Sequence, residues 1–227
     1  KTQTNHAILC VPDNKDTIWL ECTSQYYNAG YLGYSNSNRK ALLITENGGV
    51  LVNTPRADSS NSYSRNRFDI IVSNKGTSSY RIKAYCTGDD YEDFLYLDHV
   101  TKENSIRYLY DNLPFKNHSI VSYSVTPDSL ALAGISTTIE GQFNKYATVA
   151  GKRLIIPLVP YRLFDRVPKI EPDRQADIYI SKHTARTDTI CISVPSGYNF
   201  NVNEELMEFS NEIGHYEQKA VRKGNEV

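Results

Sequence analysis

The sequence predicts a mainly β fold, of the α+β kind, with one short helical segment. Tyrosine is abundant at 17 residues, whereas Met and Trp occur once each. Aromatic and β-branched side chains pack well on a pleated sheet, so this composition favours strands over helices. The apolar runs are short and are separated by Pro and Gly turn signals at regular intervals. With 227 residues, of which 40% are hydrophobic, the chain can build one large domain or two small ones.

The charge balance argues against a polyanionic partner. The 25 basic and 26 acidic residues nearly cancel, and no block of like charges creates a local field that would attract nucleic acid or an anionic membrane. No run approaches the roughly 18 consecutive apolar residues that a spanning helix needs. We therefore expect no nucleic-acid partner and no membrane span.

The cysteines do not have the spacing of a metal site. The chain contains four of them: Cys10, Cys22, Cys86 and Cys191. They form no C-x-x-C pair, and only Cys10 has a histidine close in sequence, so we expect no metal and no cofactor. Their even number permits disulfides, although buried free thiols are favoured in a chain of this size.

The first 55 residues predict four antiparallel strands. In residues 5 to 23, the apolar run Ala7–Val11 is followed by turn-forming residues and then by Thr17–Cys22, which is typical of a hairpin. A second hairpin joins Lys40–Thr45 to Gly49–Asn53 across a turn that contains Asn-Gly, the strongest short hairpin signal. No helix is expected in this part.

A polar, Ser-rich and aperiodic segment from Pro55 to Arg67 is typical of a connector, so we place a domain boundary there, between residues 1–56 and 57–227. Beyond it, residues 89–113 are the one credible helical segment, either one bent helix or two short ones. Asp89 or Asp90 can cap its start, and Thr101 can cap a second helix.

The rest of residues 57–227 predicts a β-sandwich into which this helical segment is inserted. Its expected strands are Arg67–Ser73, Ser78–Thr87, Ser119–Val125, Ser136–Phe143, Leu154–Val159, Ala176–Lys182 and Asp188–Val194. Several short strands at such spacing are typical of a sandwich. A further strand-and-turn pattern lies near residues 211–216 and is followed by a charged tail.

The first hairpin brings together two residue types that serve catalysis. If Asp13-Asn14 is a two-residue turn, counting outwards pairs Cys10 with Thr17 and His6 with Glu21. Directly opposite residues have Cβ atoms about 4.5–5.5 Å apart, close enough for a carboxylate to accept a hydrogen bond from an imidazole. Such a carboxylate orients the ring and stabilises the imidazolium, as a base that serves a thiol or hydroxyl nucleophile requires.

The alternative for this pair is a purely structural contact. Cross-strand His–Glu pairs also occur on ordinary sheet surfaces, where they add little stability. Asp-Asn is moreover a less favoured turn pair than Asn-Gly, so another register is open. Both interpretations remain at this point.

Four stretches carry a resemblance to a known family: Asn5–Pro12, Asp16–Ser24, Gly30–Gly33 and Asn38–Thr45. They resemble the end of the transglutaminase-like core, of the papain-like cysteine hydrolase superfamily, in bacterial multidomain proteins that carry flanking domains of unknown function. The resemblance covers residues 5–55 closely and the remainder loosely. In that family the His opens one strand, and the acid ends the next strand shortly after a Trp. His6 and Glu21 match these positions, although the acid is more often Asp in the superfamily.

The resemblance implies a fold and a function. Residues 1–56 would complete the sheet of the core, and 57–227 would be the flanking β-sandwich domain. The implied chemistry is thiol-dependent hydrolysis or acyl transfer, including proteolysis, on peptide amides, with His6 as base and Glu21 as its partner. The nucleophilic Cys would come from an upstream part of the same polypeptide, since this chain begins without Met and is interpreted as an inactive fragment. Export to a bacterial periplasm or secretion is expected by analogy.

A second function class stays open: a non-catalytic binding or structural module of the bacterial envelope. Other candidates are weaker, and core or surface roles explain them. Trp19 is interpreted as core or as packing on the His6 ring, and neither Cys10 nor Cys22 lies at a helix start that would activate a thiol. The remaining histidines, His99, His118, His183 and His215, are assigned to solvated surface. The helical tyrosines are assigned to packing on a sheet, and residues 173–177 to a solvated loop.

Overall fold

The computed structural model describes residues 5–13, 16–56, 58–113, 115–128, 134–161, 173, 175 and 185–227. Strands hold 45% of the described residues and helices 12%, which confirms the mainly β class. None of the described helices is long and apolar enough to cross a membrane. The predicted strand at Ala176–Lys182 lies outside the described residues.

The first four strands form two separate hairpins. They are β1 Leu9–Asp13, β2 Asp16–Leu20, β3 Lys40–Thr45 and β4 Gly48–Asn53. Each hairpin is its own two-stranded antiparallel sheet. The second turns tightly at residues 46–47, where Gly48 adopts a positive φ of 113°, as the Asn-Gly signal predicts.

The other strands follow in chain order: β5 Tyr63–Val72, β6 Ser78–Thr87, β7 His118–Pro127, β8 Gly134–Phe143, β9 Thr148–Ala150, β10 Arg153–Ile155, β11 Ala185–Ser193, β12 Met207–Ser210 and β13 His215–Gln218. Five of them form one sheet in the order β11-β5-β6-β8-β7, in which β11 runs parallel to β5 and the other neighbours are antiparallel. The short pairs β9-β10 and β12-β13 are separate hairpins. Strand β5 begins inside the segment that was predicted to be a connector, because alternating inward side chains start there at Ser62–Ser64.

The helical segment is two short helices. A 3-10 turn at Gly88–Asp90 leads into α1, Tyr91–His99, and α2 follows at Lys102–Asn112. Thr101 caps α2 by accepting a hydrogen bond from the backbone N–H of Asn104, as predicted. Asp90 occupies the N-cap position of α1 without a side-chain capping bond.

The core lies between the helices and one face of the five-stranded sheet. Inward side chains of β5, β6, β8 and β11 pack with residues of both helices in one cluster, which includes Phe68, Ile70, Tyr80, Ile82, Leu97, Leu109, Ile139 and Ile192. The outer face is polar and carries the ion pairs Arg67–Asp69 and Arg81–Glu140. Helices supply the covering layer on the inner face, and no second sheet packs on the charged outer face within the described residues, so the β-sandwich stays a prediction. Charged side chains point outward along this face, so it offers little apolar surface for a second layer to bury.

Candidate functional site

His6 and Glu21 both lie at the open end of the first hairpin: His6 precedes the start of β1, and Glu21 follows the end of β2. The observed pairs include Leu9 with Leu20 and Cys10 with Trp19, so the predicted register is wrong by two residues. Asp13 pairs with Asp16 and so belongs to the strand rather than to the turn, which is consistent with the weak turn preference of Asp-Asn. A shift of two residues leaves every side chain on the same face of the strand. The predicted contact between His6 and Glu21 is present, although both residues lie outside the paired strands.

The contact between the two side chains is short. His6 Nε2 donates to Glu21 Oε2 at 2.6 Å. The imidazole side chain is 33% exposed, whereas that of Glu21 is 3% exposed. The other ring nitrogen, Nδ1, has no hydrogen-bond partner among the described residues. The pair thus has a sheltered acid and a partly exposed imidazole whose second nitrogen makes no hydrogen bond to a described residue.

Glu21 is held by three donors besides the imidazole. Its Oε1 accepts from the Thr23 N–H at 2.8 Å and from Thr23 Oγ1 at 2.6 Å. Its Oε2 accepts from Asn36 Nδ2 at 2.7 Å. Every lone-pair direction that a carboxylate normally uses is therefore engaged, and the carboxylate cannot rotate without losing bonds.

These bonds also set the ionisation of Glu21. Partial burial alone would raise its pKa, but the hydrogen bonds from Thr23 and His6 lower the pKa below the ordinary value. The group is consequently an anion at neutral pH. An anion in this position stabilises a protonated imidazole and fixes which ring nitrogen carries the proton in the neutral form.

Sequence reasoning missed Thr23 and Asn36. Thr23 follows Glu21 by two residues, a spacing at which a side chain and a backbone N–H commonly bond in a tight turn, so a local signal existed. Asn36 lies 15 residues away from Glu21 in an irregular loop. No periodicity or turn pattern points from one to the other.

No hydrogen bond joins a cysteine to this pair among the described residues. All four are free thiols. Cys86 is buried in β6, and burial, together with the charges of Asp90 and Asp93, raises its pKa to about 12, which makes it inert. Cys22 is exposed and its Sγ lies 3.9 Å from the Leu20 carbonyl oxygen. None of the four begins a helix, where the dipole would favour a thiolate. No metal-binding group of His, Cys, Asp and Glu occurs within the described residues.

The remaining candidates fall into packing roles with one correction. Trp19 is half-buried in β2, and the helical residue Tyr91 is a core residue at 1% exposure. His215 is exposed as predicted, whereas His183 lies outside the part that the structure describes. His99 is exposed but stacks on Tyr26. The surface prediction for His118 is wrong, because its ring lies within an aromatic cluster.

Comparison of the chain with protein-family models, with curated proteins and with solved structures finds no match. The resemblance to the transglutaminase-like core therefore stays a prediction. The site must be judged on its own geometry.

Proposed function

We propose that His6 and Glu21 are the base and its orienting acid in a transglutaminase-like cysteine hydrolase or acyltransferase that acts on peptide amides. The nucleophilic Cys belongs to an upstream part of the same polypeptide. The single observation that carries the proposal is the 2.6 Å hydrogen bond from His6 Nε2 to the sheltered Glu21 carboxylate.

The proposed chemistry uses the second ring nitrogen of His6, Nδ1. His6 Nδ1 takes the proton of the cysteine thiol, and the thiolate attacks the carbonyl carbon of the amide. The tetrahedral intermediate collapses when the imidazolium returns that proton to the leaving amine. His6 then takes a proton from a water molecule or an acceptor amine as it attacks the thioester, and the S–C bond breaks while the cysteine thiolate recovers that proton, which gives hydrolysis or acyl transfer. Throughout, the Glu21 anion stabilises the imidazolium and holds its orientation.

The way Glu21 is held favours this role over a surface ion pair. An exposed His–Glu pair contributes about 0–1 kcal/mol and is not restrained by other groups. Here the acid is removed from solvent and accepts bonds from Thr23 and Asn36 as well. Such preorganisation is typical of a site in which the direction of the imidazole matters.

The test replaces each member in the parent polypeptide that carries the upstream Cys. His6→Ala is expected to abolish turnover of a peptide amide, and Glu21→Gln to reduce kcat by about 10²–10⁴-fold, in line with the typical contribution of general acid–base catalysis. The matched controls are His215→Ala and Glu208→Gln, which alter an exposed pair at 3.9 Å in the C-terminal hairpin. Turnover that survives His6→Ala would contradict the proposal.

A second candidate is a non-catalytic binding or structural module of the bacterial envelope. The observation that favours it is the polar outer face of the five-stranded sheet, on which no second sheet packs in the part of the chain that the structure describes, with Arg65 and Lys83 beside the two ion pairs. A protein or glycan partner would be its ligand. The parent sequence discriminates between the two candidates, since an inert residue in place of the upstream Cys supports the module. Export to the periplasm, or secretion, is proposed for both from the resemblance alone.

A further inference from the structure

The Glu21 oxygen that accepts the hydrogen bond from the imidazole also accepts one from a distant loop. Oε2 accepts from both His6 and Asn36. A donor on this oxygen determines where the oxygen lies and therefore where the imidazole points. Any group that fixes Asn36 also acts on the orientation of His6.

Asn36 is itself restrained on all sides. Its Nδ2 also donates to the Leu32 carbonyl at 3.1 Å, and its backbone N–H donates to the Gly33 carbonyl at 3.2 Å. Its own carbonyl accepts from the Thr54 hydroxyl at 2.7 Å. Thr54 and Leu32 are both 5% exposed. The loop of residues 31–36 is therefore one ordered unit that presents Asn36 to Glu21.

This loop is attached to helix α1 through Glu92. Glu92 Oε1 accepts from the Tyr31 hydroxyl and from the Tyr34 backbone N–H, both at 2.8 Å. The approach is close: Gly33 has a φ of 77°, and a Cβ atom there would lie 3.0 Å from Glu92 Oε1 and 3.1 Å from the Tyr27 ring. Only glycine suits that position.

Glu92 is a rigid anchor because α1 packs on the five-stranded sheet. Its neighbours in the helix, Tyr91 and Leu95, are 1% and 4% exposed and pack with Cys86 and Ile135 of the sheet. Glu92 also lies in the first turn of α1, where the helix dipole favours a carboxylate. The sheet and helices thus hold a charged acceptor under the loop.

We propose that Glu92 is a positioning residue for the His6–Glu21 pair, acting through Tyr31, Tyr34 and Asn36. The effect of Glu92 on catalysis rests on the proposed function, whereas its effect on the positions of Asn36 and Glu21 does not. In this arrangement the helical layer serves the site by fixing the loop that orients the acid.

The first experiment uses this chain alone and needs no turnover. Nuclear magnetic resonance follows the hydrogen exchange of the Asn36 side-chain amide and the titration of the Glu21 carboxyl. Glu92→Ala is expected to speed that exchange by about tenfold, as the loss of hydrogen bonds to a charged group implies. It should also change the titration of Glu21, since the bond from Asn36 Nδ2 to Glu21 Oε2 favours the anionic form. Glu92→Gln, which keeps an acceptor oxygen, is expected to restore most of both readouts.

Glu103→Ala is the matched control, since Glu103 is an exposed glutamate in the first turn of α2. It should leave exchange and titration unchanged. Tyr31→Phe keeps the ring that packs edge-on against Tyr91 but removes one of the donors to Glu92, together with the 3.0 Å contact of the same hydroxyl with the Gly88 carbonyl. It should give a smaller change in the same direction even if Glu92→Ala prevents folding. Unchanged exchange and titration in Tyr31→Phe and in a folded Glu92→Ala would overturn the inference.

The second experiment separates this inference from the proposed function. In the parent polypeptide, Glu92→Ala is expected to lower kcat for a peptide amide by about tenfold with little change in KM, and Glu103→Ala to leave both unchanged. If His6→Ala abolishes turnover but Glu92→Ala does not lower it, the positioning role fails alone. If turnover survives His6→Ala while Asn36 exchange still responds to Glu92→Ala, the proposed function fails and the structural coupling stands.

Discussion

At the scale of single residues, His118 shows how burial changes the role of a titratable group. Its ring lies 5.2 Å from that of Tyr110 and 5.7 Å from that of Phe115, and it faces Tyr80 and Phe143 as well. Its Nε2 is buried and has no hydrogen-bond partner among the described residues. Burial lowers the pKa of His118 below its ordinary value, although a backbone hydrogen bond with Phe115 opposes the shift. The rings that contact His118 belong to Tyr80, Tyr110, Phe115 and Phe143, and none of them carries a carboxylate that would compensate a proton on His118.

The lowered pKa predicts a loss of stability in mild acid. The unfolded chain binds the proton of His118 more readily than the folded chain does, so the contribution of the neutral ring is present above the unfolded pKa of about 6.5 and is lost as pH falls below it. His118→Phe is expected to flatten the dependence of the unfolding free energy on pH between about 7 and 5. Urea unfolding at several pH values measures it. His215→Phe, at an exposed histidine, is the control and should leave the pH dependence of the unfolding free energy in this range unchanged.

Glu21 responds to acid in the same sense for a different reason. Its pKa is lowered in the folded chain, so its contribution is present above the ordinary glutamate pKa of about 4.3 and is lost as pH falls through the folded pKa. The two groups therefore act in separate pH ranges. As the solution is acidified, the contribution of His118 to stability is lost before that of Glu21.

At the scale of elements, the centre of the sheet depends on a glycine in β8. Gly141 lies opposite Tyr80 of β6 and next to the irregularity in β7 between Ile120 and Ser122. A Cβ atom at Gly141 would lie 2.3 Å from the Ser119 carbonyl oxygen and 2.3 Å from the Tyr80 ring. The backbone of β7 and a buried tyrosine thus approach β8 where only hydrogen fits.

Gly141→Ala is accordingly expected to destabilise the protein by about 1–3 kcal/mol, the usual effect of overpacking a well-packed core. Chemical denaturation gives the change in unfolding free energy. The control is Gly214→Ala in the C-terminal hairpin, where a Cβ atom would meet nothing within 4 Å. Equal effects of the two substitutions would show that the close approach in β8 is unimportant.

At the scale of the whole molecule, the N-terminal hairpins expose apolar surface. On one face of the second hairpin, Leu42, Ile44 and Leu51 are 55%, 81% and 66% exposed. Leu42 and Leu51 are cross-strand partners, and Ile44 lies two residues farther along. Contiguous apolar patches of this kind promote association, whereas single apolar side chains on a surface do not.

We therefore expect this chain to self-associate as its concentration rises. Ile44→Lys should reduce that association, because it places a charge in the middle of the apolar face. Ile71→Lys is the matched control: Ile71 is 62% exposed on the polar outer face of the five-stranded sheet and should change little. Sedimentation velocity at several concentrations measures the effect, and equal behaviour of both variants would refute the role of the hairpin patch.

The sequence by itself determined those features that depend on neighbouring residues. The alternation in β5 and β6, the Asn-Gly hairpin and the Thr101 cap all follow from side chains a few positions apart, and all are present. The contact between His6 and Glu21 was also predictable, since the period of a strand is two and an error of two residues keeps the face.

Only the tertiary structure decided the contacts between segments that are far apart in the sequence. The parallel pairing of β11 with β5 joins residues more than a hundred positions apart, and within the described residues the helices pack on the inner face of the five-stranded sheet. Asn36 reaches Glu21, and Glu92 reaches the loop 31–36, through contacts between separate segments. Local propensity carries no information on such distances, because the free energy that selects these contacts comes from burying one apolar face against another.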